Sequence, residues 1–421
     1  MTNEKNKAII DKSYLDAKAK YKSFGVDTDK AIEILKEIPL SLHCWQGDDN
    51  NGYDNDSELT GGILVTGNYP GRARTGDELR ADLEKAYSLI PGKHRLNLHA
   101  SYAEFDGNKV DRDKIGIEHF SKWLDWAKKK GYGLDFNPTI FSHDMFKDNM
   151  SITHPDKNVR KFWIEHIKRT REIGAEIGKA LGTPCVNNIW AADGMKDTPA
   201  DRMAYRSRLK DSLDEALEPA FDKNHLVDAV ESKLFGIGSE SFVPGSFEFY
   251  MGYAMEKNIA LCLDSGHYHP TETIADKISS VLQYIDNVLL HVSRGVRWDS
   301  DHVTCLTDDT KFIARECVKS GIDRMYYGLD FFDATINRVA AWVIGSRAFL
   351  KAMLIALLEP QEIITAEQNF DYTTRLALME ESRQLPWGAV WDKLCIDDNV
   401  TAGADWLMDV KKYEEDVLSK R

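Results

Sequence analysis

The chain has 421 residues, enough for one large domain with an appendage or for two ordinary domains. Its composition, 43% hydrophobic and 29% charged, is that of a soluble globular protein, and a formal net charge of −14 argues against an extended nucleic-acid surface, which needs clustered Lys and Arg. No run approaches the ~18 consecutive apolar residues of a membrane span, M-T-N-E-K-N-K lacks the apolar centre of a signal peptide, and the six cysteines are scattered without a C-x-x-C pair; no membrane partner and a reducing cytoplasm are the expectations.

A polar, helix-like N-terminus leads to P-L-S-L-H-C (39–44), the first of eight short apolar runs that read as buried strands. A loop, Q-G-D-D-N-N-G-Y-D-N-D (46–56), and a strand-like run, G-G-I-L-V-T-G (61–67), then interrupt the first repeat and are placed to cover a pocket mouth. T-G-D-E at Thr75 offers a capping box to a helix running through Ile90. R-L-N-L-H-A (95–100), G-L-D-F-N-P (133–138), P-C-V-N-N-I-W (184–190) and A-V-E-S-K-L-F (229–235) follow as strands. I-A-L-C-L-D (259–264), V-L-L-H-V-S (288–293) and M-Y-Y-G-L-D (325–330) complete the eight. Amphipathic helices are expected near 115–130, 157–182, 201–220, 247–257, 272–285 and 308–320.

Strand alternating with helix eight times is the grammar of an α/β chain folded as a (β/α)8 TIM barrel. The barrel is expected over residues 1–334, with N-terminal helices. From 335 to 421 the pattern is all helical, with segments near 335–358, 362–383, 388–396 and 402–418. This C-terminal helical extension carries more apolar residues than a lone tail can bury, so it packs across the barrel or against another subunit.

The chemistry-bearing residues fall at strand ends, which the barrel assignment did not require. Glu231 and Lys233 are two apart and share a face on a strand; they read as a metal ligand and a cation steadying a substrate oxygen, or as a plain ion pair. Asp264 ends a strand, and Ser-Gly lets His267 turn inward beside it, with His269 just beyond. His291 closes another strand. Asp299 and Asp301 in W-D-S-D-H alternate, so in extended backbone both carboxylates face one way and can grip one hard cation. Asp330 should lie beside the first strand once the barrel closes, whereas Asp333 reads as a cap for the next helix. His99 ends the second strand, placed for hydrogen bonding or proton transfer. Trp190 and Trp298 offer flat faces for a sugar ring or for packing.

Ionised carboxylates ~4 Å apart repel by about 4 kcal/mol per pair at an effective dielectric of ~20. A multivalent cation, or protonation of some of the groups, relieves this. Carboxylate and imidazole without thiolate suit octahedral Mn2+, Mg2+ or Co2+ better than a closed structural zinc site. Seven candidate ligands (Glu231, Asp264, His267, His291, Asp299, Asp301 and Asp330) exceed what one ion needs, which points to two.

The segments S-L-H-C-W-Q-G-D-D, G-N-Y-P-G-R-A-R-T, R-L-N-L-H-A, V-E-S-K-L-F-G-I-G, C-L-D-S-G-H-Y-H-P-T-E, H-V-S-R-G-V-R-W-D-S-D-H and G-L-D-F-F-D-A-T-I-N-R together resemble the bacterial L-rhamnose isomerase family. The resemblance implies a cytoplasmic, homotetrameric aldose–ketose isomerase interconverting L-rhamnose and L-rhamnulose by metal-assisted hydrogen transfer between C1 and C2. It implies manganese as the preferred ion, with Mg2+, Co2+ or Zn2+ as substitutes. One ion would fall to Glu231, Asp264, His291 and Asp330, and a second to His267, Asp299 and Asp301. His99, Lys233 and Trp190 match substrate-pocket positions, and Asp330 and Lys233 are the catalytic candidates, a water or hydroxide near Asp330 serving as proton shuttle. Hydride transfer and an enediol route both fit these residues. A metal-dependent phosphodiesterase on a similar barrel would use the same ligand types, but it needs a basic groove. A non-enzymatic sugar-binding protein would show no conversion.

Overall fold

The computed structural model describes residues 3–54, 61–297 and 299–421. Two helices, α1 (Asn3–Lys22) and α2 (Thr28–Glu37), precede β1 (Pro39–His43), and α3 (Gly76–Tyr87) leads to β2 (Lys93–His99). Next come α4 (Ser121–Lys130), β3 (Gly133–Asn137), α5 (Lys157–Leu181), β4 (Cys185–Ile189), α6 (Arg202–Leu217) and β5 (Leu226–Glu231). The second half carries α7 (Phe247–Lys257), β6 (Ala260–Asp264), α8 (Ala275–Val281), β7 (Val288–His291), α9 (Asp308–Ser320) and β8 (Met325–Leu329). Five helices close the chain: α10 (Arg338–Leu357), α11 (Gln361–Gln368), α12 (Tyr372–Ser382), α13 (Trp387–Asp397) and α14 (Trp406–Asp416).

The eight strands form a closed, all-parallel barrel in sequence order, β8 returning to β1 with Leu40 opposite Tyr327 and Leu42 opposite Leu329. The (β/α)8 architecture expected from the sequence is therefore present, with the helices outside. Alternation along each strand explains both layers. Val186, Ala229, Ala260, Cys262 and Leu289 form a small apolar cluster of their own. Two residues further along β5 and β7, Glu231 and His291 continue the same face of the strand. The opposite faces of the strands join the helices in the large outer core, with Trp123, Trp163 and Trp342 among its largest fully buried side chains.

Toward the amino ends of the strands, Arg95 meets Asp135 through Nε at 2.9 Å and Nη2 at 2.7 Å, and Ser41 Oγ donates to the same carboxylate at 2.7 Å. Arg95 also donates to the carbonyls of Leu134 and Pro184.

α10 follows β8 and packs on α9, α3 and α2, so it occupies the eighth helical position of the ring. It is long and apolar enough to cross a membrane by length and composition, yet most of it is buried here. Arg347, on its buried face, donates to the carbonyls of Leu89, Thr401 and Gly403. The C-terminal segment returns to α3, where Arg421 forms two hydrogen bonds with the buried Asp82, at 2.6 and 2.8 Å, and Tyr413 adds a third at 2.8 Å.

Several local readings change. The run 61–67 is not a strand: Gly61–Ile63 is a 3-10 turn, and Gly67 makes a lone parallel bridge to Ala334. Its β-type composition is overridden by ties across the barrel mouth, Gly62 N–H to the Ile237 carbonyl and Asn50 Nδ2 to the Ile63 carbonyl. The segment 362–383 is two helices, broken at Phe370 with φ 60°, after which the Asp371 side chain caps α12 through Thr374 N–H at 3.0 Å. Thr75 caps α3, but Glu78 reaches back to Arg74 N–H at 2.8 Å, one residue beyond the box position. Asn337, not Asp333, caps α10, and Asp333 instead accepts from Thr335 N–H at 2.8 Å. Cys44, Cys185, Cys262, Cys317 and Cys395 are free and buried, and Cys305 is free and partly buried.

Candidate active site

At the carboxyl ends of the strands, where (β/α)8 barrels assemble their chemistry, β5 to β8 deliver a compact set of charges. His291 Nδ1, at the end of β7, lies 3.2 Å from Asp330 Oδ2, 3.6 Å from Glu231 Oε1 and 3.8 Å from Asp264 Oδ2. Three carboxylates thus converge on one ring nitrogen, all in residues 6% exposed or less. His267 Nδ1 faces the Ser232 carbonyl at 3.1 Å, which turns Nε2 toward Asp299 Oδ2 at 3.7 Å and Asp264 Oδ1 at 4.0 Å. Lys233 Nζ pairs with Asp299 Oδ2 at 2.8 Å and stands 5.0 Å above the Trp190 ring. Trp190 in turn faces His267, ring centroids 6.0 Å apart.

The backbone explains why these side chains meet. Gly266 cannot be replaced without a clash, since a Cβ there would lie 2.2 Å from Asp299 Oδ1. The segment carrying Asp299 and Asp301 closes with an antiparallel bridge between Arg294 and His302, and Asp301 sits at φ 46°. The two carboxylates are therefore brought together by a left-handed turn, and the extended alternation expected from W-D-S-D-H does not hold. Trp298 lies outside the described residues. His269 is exposed, its Nδ1 bonded to Thr271 Oγ1 at 2.9 Å, and does not join the cluster. His302 Nδ1 is paired with Ser300 Oγ at 2.7 Å.

The electrostatics follow from burial and neighbours. Burial would raise Glu231, but His291 and His267 hold its carboxyl well below the usual range. Asp330 is likewise pushed up by burial and brought below its ordinary value by His43 and His291. Asp299 is lowered because Lys233 and His267 outweigh burial. Asp264 is raised to about 7, first by burial and then by Glu231 and Asp330 despite His267. Asp301 is raised well above the carboxylate range by burial and by Asp299. Burial disfavours the His267 imidazolium, yet Asp264 facing it raises its pKa to about 9.

These residues fit a divalent cation on their own chemistry. Glu231 Oε1, Asp264 Oδ2, His291 Nδ1, Asp299 Oδ1 and Asp330 Oδ1 are buried without a hydrogen-bond partner, a costly state unless an ion takes their lone pairs. Asn188 Nδ2 binds the other Glu231 oxygen at 2.5 Å, leaving Oε1 facing the cluster. Among the described residues, three groups bring ligand atoms within 4.8 Å of one another: His43 with His291 and Asp330, Glu231 with Cys262 and His291, and Glu231 with Asp264 and His267.

His43 was not singled out from the sequence, although the rule that picked His99, an apolar strand ending in histidine, applies equally to S-L-H. Its Nδ1 bonds the Leu329 carbonyl at 2.9 Å, and Nε2 lies 3.5 Å from Asp330 Oδ2. This contact realises the expected closeness of Asp330 to β1. Trp45 stacks on His43 and lies 4.3 Å, centroid to centroid, from His99. His99 is fully buried, and burial followed by His43 pushes its pKa well below the ordinary imidazole value.

Known proteins match nearly the whole chain. A curated relative named L-rhamnose isomerase from Pectobacterium carotovorum subsp. carotovorum (strain PC1) is 56% identical over 415 residues, 98% of this chain and 99% of the relative. Another of that name from Rhodopirellula baltica is 55% identical over 415 residues, covering 98% and 97%. A solved structure of L-ribulose 3-epimerase aligns with a TM-score of 0.49 at 14% identity, over 78% of this chain and 98% of that one. The family described as L-rhamnose isomerase (RhaA) matches residues 8–421. With nearly its whole length matched, the chain belongs to the L-rhamnose isomerase family.

Proposed function

We propose that this protein is a metal-dependent aldose–ketose isomerase that interconverts L-rhamnose and L-rhamnulose by moving a hydrogen between C1 and C2. The observation that carries the reading is the set of buried, unpartnered carboxylate and imidazole atoms at the barrel mouth, in a chain whose full-length relatives carry that name. Glu231, Asp264, His291 and Asp330 would hold one ion, and His267, Asp299 and Asp301 a second. Bound there, divalent ions would supply Lewis acidity to the reacting sugar. Manganese is the proposed ion, since an oxygen-rich donor set with imidazole suits it, and Mg2+, Co2+ or Zn2+ are proposed substitutes.

The side chains divide the remaining work. Lys233, fixed by Asp299 and lying over Trp190, steadies a substrate oxygen with a buried positive charge; burial opposes that charge, and Asp299 more than restores it. Trp190 offers its face to the C–H side of the sugar. His99 hydrogen-bonds a hydroxyl. Asp330, set between His43 and His291, would position the water or hydroxide that carries the proton between O1 and O2. We further propose a cytoplasmic homotetramer, built from a barrel domain over 1–334 and a helical extension over 335–421, whose first helix α10 also fills the ring's eighth position and whose later helices contribute subunit contacts. The exposed Phe370, Tyr372 and Leu376 around α12, a helix that buries none of its own residues, support that placement of contacts.

Ketose formation from a panel of aldoses, after EDTA and with Mn2+ restored, tests the assignment. L-rhamnose should turn over fastest, with activity lost on chelation and regained with metal. Turnover unaffected by chelation, or no turnover of any aldose, would overturn it.

A further inference from the structure

His99 is buried, and its two ring nitrogens are in different situations. Nδ1 lies 3.2 Å from Thr139 Oγ1, whereas Nε2 has no hydrogen-bond partner. A neutral imidazole carries one proton, and which nitrogen bears it decides whether Nε2 donates or accepts.

Thr139 decides this through a short relay. Its Oγ1 lies 3.3 Å from the Asn137 carbonyl, an acceptor that cannot donate. With the hydroxyl hydrogen directed there, Oγ1 presents a lone pair to Nδ1, which must then carry the ring proton. The opposite arrangement would leave a buried Nε2–H donor without a partner. The neighbouring Trp45 Nε1 is also a buried donor without one. A sugar hydroxyl beside Nε2 can donate to it when Nε2 bears the lone pair.

Thr139 occupies its place at a conformational cost. It has φ 55°, a left-handed value that β-branched residues rarely adopt. Three contacts hold it: Arg112 Nη1 donates to the Thr139 carbonyl at 2.6 Å, Thr139 N–H donates to Asn137 Oδ1 at 2.9 Å, and Oγ1 meets Asn137 O. Arg112 is itself fixed by the buried Asp54 at 2.6 Å and by the Phe141 carbonyl at 2.7 Å. Glycine would fit this backbone without strain, so a strained threonine whose hydroxyl faces a site histidine points to a role for that hydroxyl.

We propose that Thr139 is a positioning residue that holds His99 in its Nδ1–H tautomer, so that the Nε2 lone pair accepts a hydrogen bond from a hydroxyl of the sugar. The assignment rests on the isomerase reading of the site, and its test therefore includes a readout independent of turnover. Histidine-selective 15N spectra of the magnesium-loaded protein, with the His99 signals assigned through His99→Gln, report the tautomer directly. The unaltered protein should show Nδ1 protonated and Nε2 bare, and Thr139→Gly should redistribute the proton between them. In kinetics, Thr139→Gly should lower kcat/KM about tenfold, chiefly through KM, while its thermal midpoint holds or rises because the strain is gone. Thr139→Ser should restore both tautomer and KM. An unchanged tautomer in Thr139→Gly, a parallel loss of stability and activity, or failure of serine to restore function would each overturn the proposal. A His99 tautomer that responds in a protein inactive on every aldose would sink the isomerase reading and leave the Thr139 relay standing.

Discussion

Asp330 Oδ2 stands 3.5 Å from His43 Nε2 and 3.2 Å from His291 Nδ1, so the carboxylate that follows β8 is flanked by imidazoles from the two strands bordering it. His43 donates through Nδ1 to Leu329, leaving Nε2 to face Asp330. Replacing His43 with Phe keeps the stacking on Trp45 and removes that nitrogen. Divalent-metal affinity or kcat should fall about 10- to 100-fold with the barrel still folded, as metal titration followed by activity would show.

Metal removal should cost stability as well as activity. The carboxylates of Glu231, Asp264 and Asp330 repel once no cation separates them, and an ion that binds the folded chain stabilises it by roughly 3 kcal/mol at a hundredfold excess over its Kd. Calorimetry with and without EDTA should show a fall of several degrees in the thermal midpoint, reversed by Mn2+. Asp299→Ala, which strips Lys233 of its partner, should abolish turnover; full activity in that variant would contradict the site assignment.

A third test lies away from the mouth. His94 stacks on Tyr87 with ring centroids 4.6 Å apart, and burial lowers its pKa to about 4. Its folded value lies below the unfolded one, so the unfolded chain takes up a proton first as pH falls. The contribution is complete above about pH 6.5 and is lost progressively down to about pH 4, on the order of 3 kcal/mol in all. Denaturant midpoints across that window should slope less in His94→Phe than in the unaltered protein.

Arg421→Ala removes the cation that holds the buried Asp82 carboxylate. Burial alone raises Asp82, and the lost pair leaves the carboxylate uncompensated between α3 and the C-terminal segment. A destabilisation of about 3 kcal/mol is expected from chemical denaturation, with kcat unchanged because the contact is remote from the mouth. Asp82→Asn in the Arg421→Ala background should recover part of the loss.

The barrel was legible because each strand is a short apolar run and because β5 to β8 place a polar residue where the run ends. His43 was legible by the same rule and overlooked. Thr139 was not, since its role depends on φ at one residue, on Arg112 some distance before it, and on His99 from a neighbouring strand. The stretch 61–67 misled because glycine, isoleucine and valine resemble a strand, whereas its ties to Ile237 and Asn50 are contacts no local pattern encodes. The break at Phe370 is equally silent, being a single left-handed residue inside otherwise helical composition. Asp299 and Asp301 were expected on extended chain, and a left-handed turn at Asp301 carries them instead.

The pairing of β8 with β1 also governs how the polypeptide matures on the ribosome. The opening strand is made early, yet its second hydrogen-bonded neighbour arrives near the far end of translation, and α10, which covers the same seam, emerges later still. Until then one flank of the nascent sheet offers free amide and carbonyl groups to any passing strand. Truncated products ending before Met325 should accordingly be the aggregating species in a cell, and chaperone dependence should end when that last stave is in place.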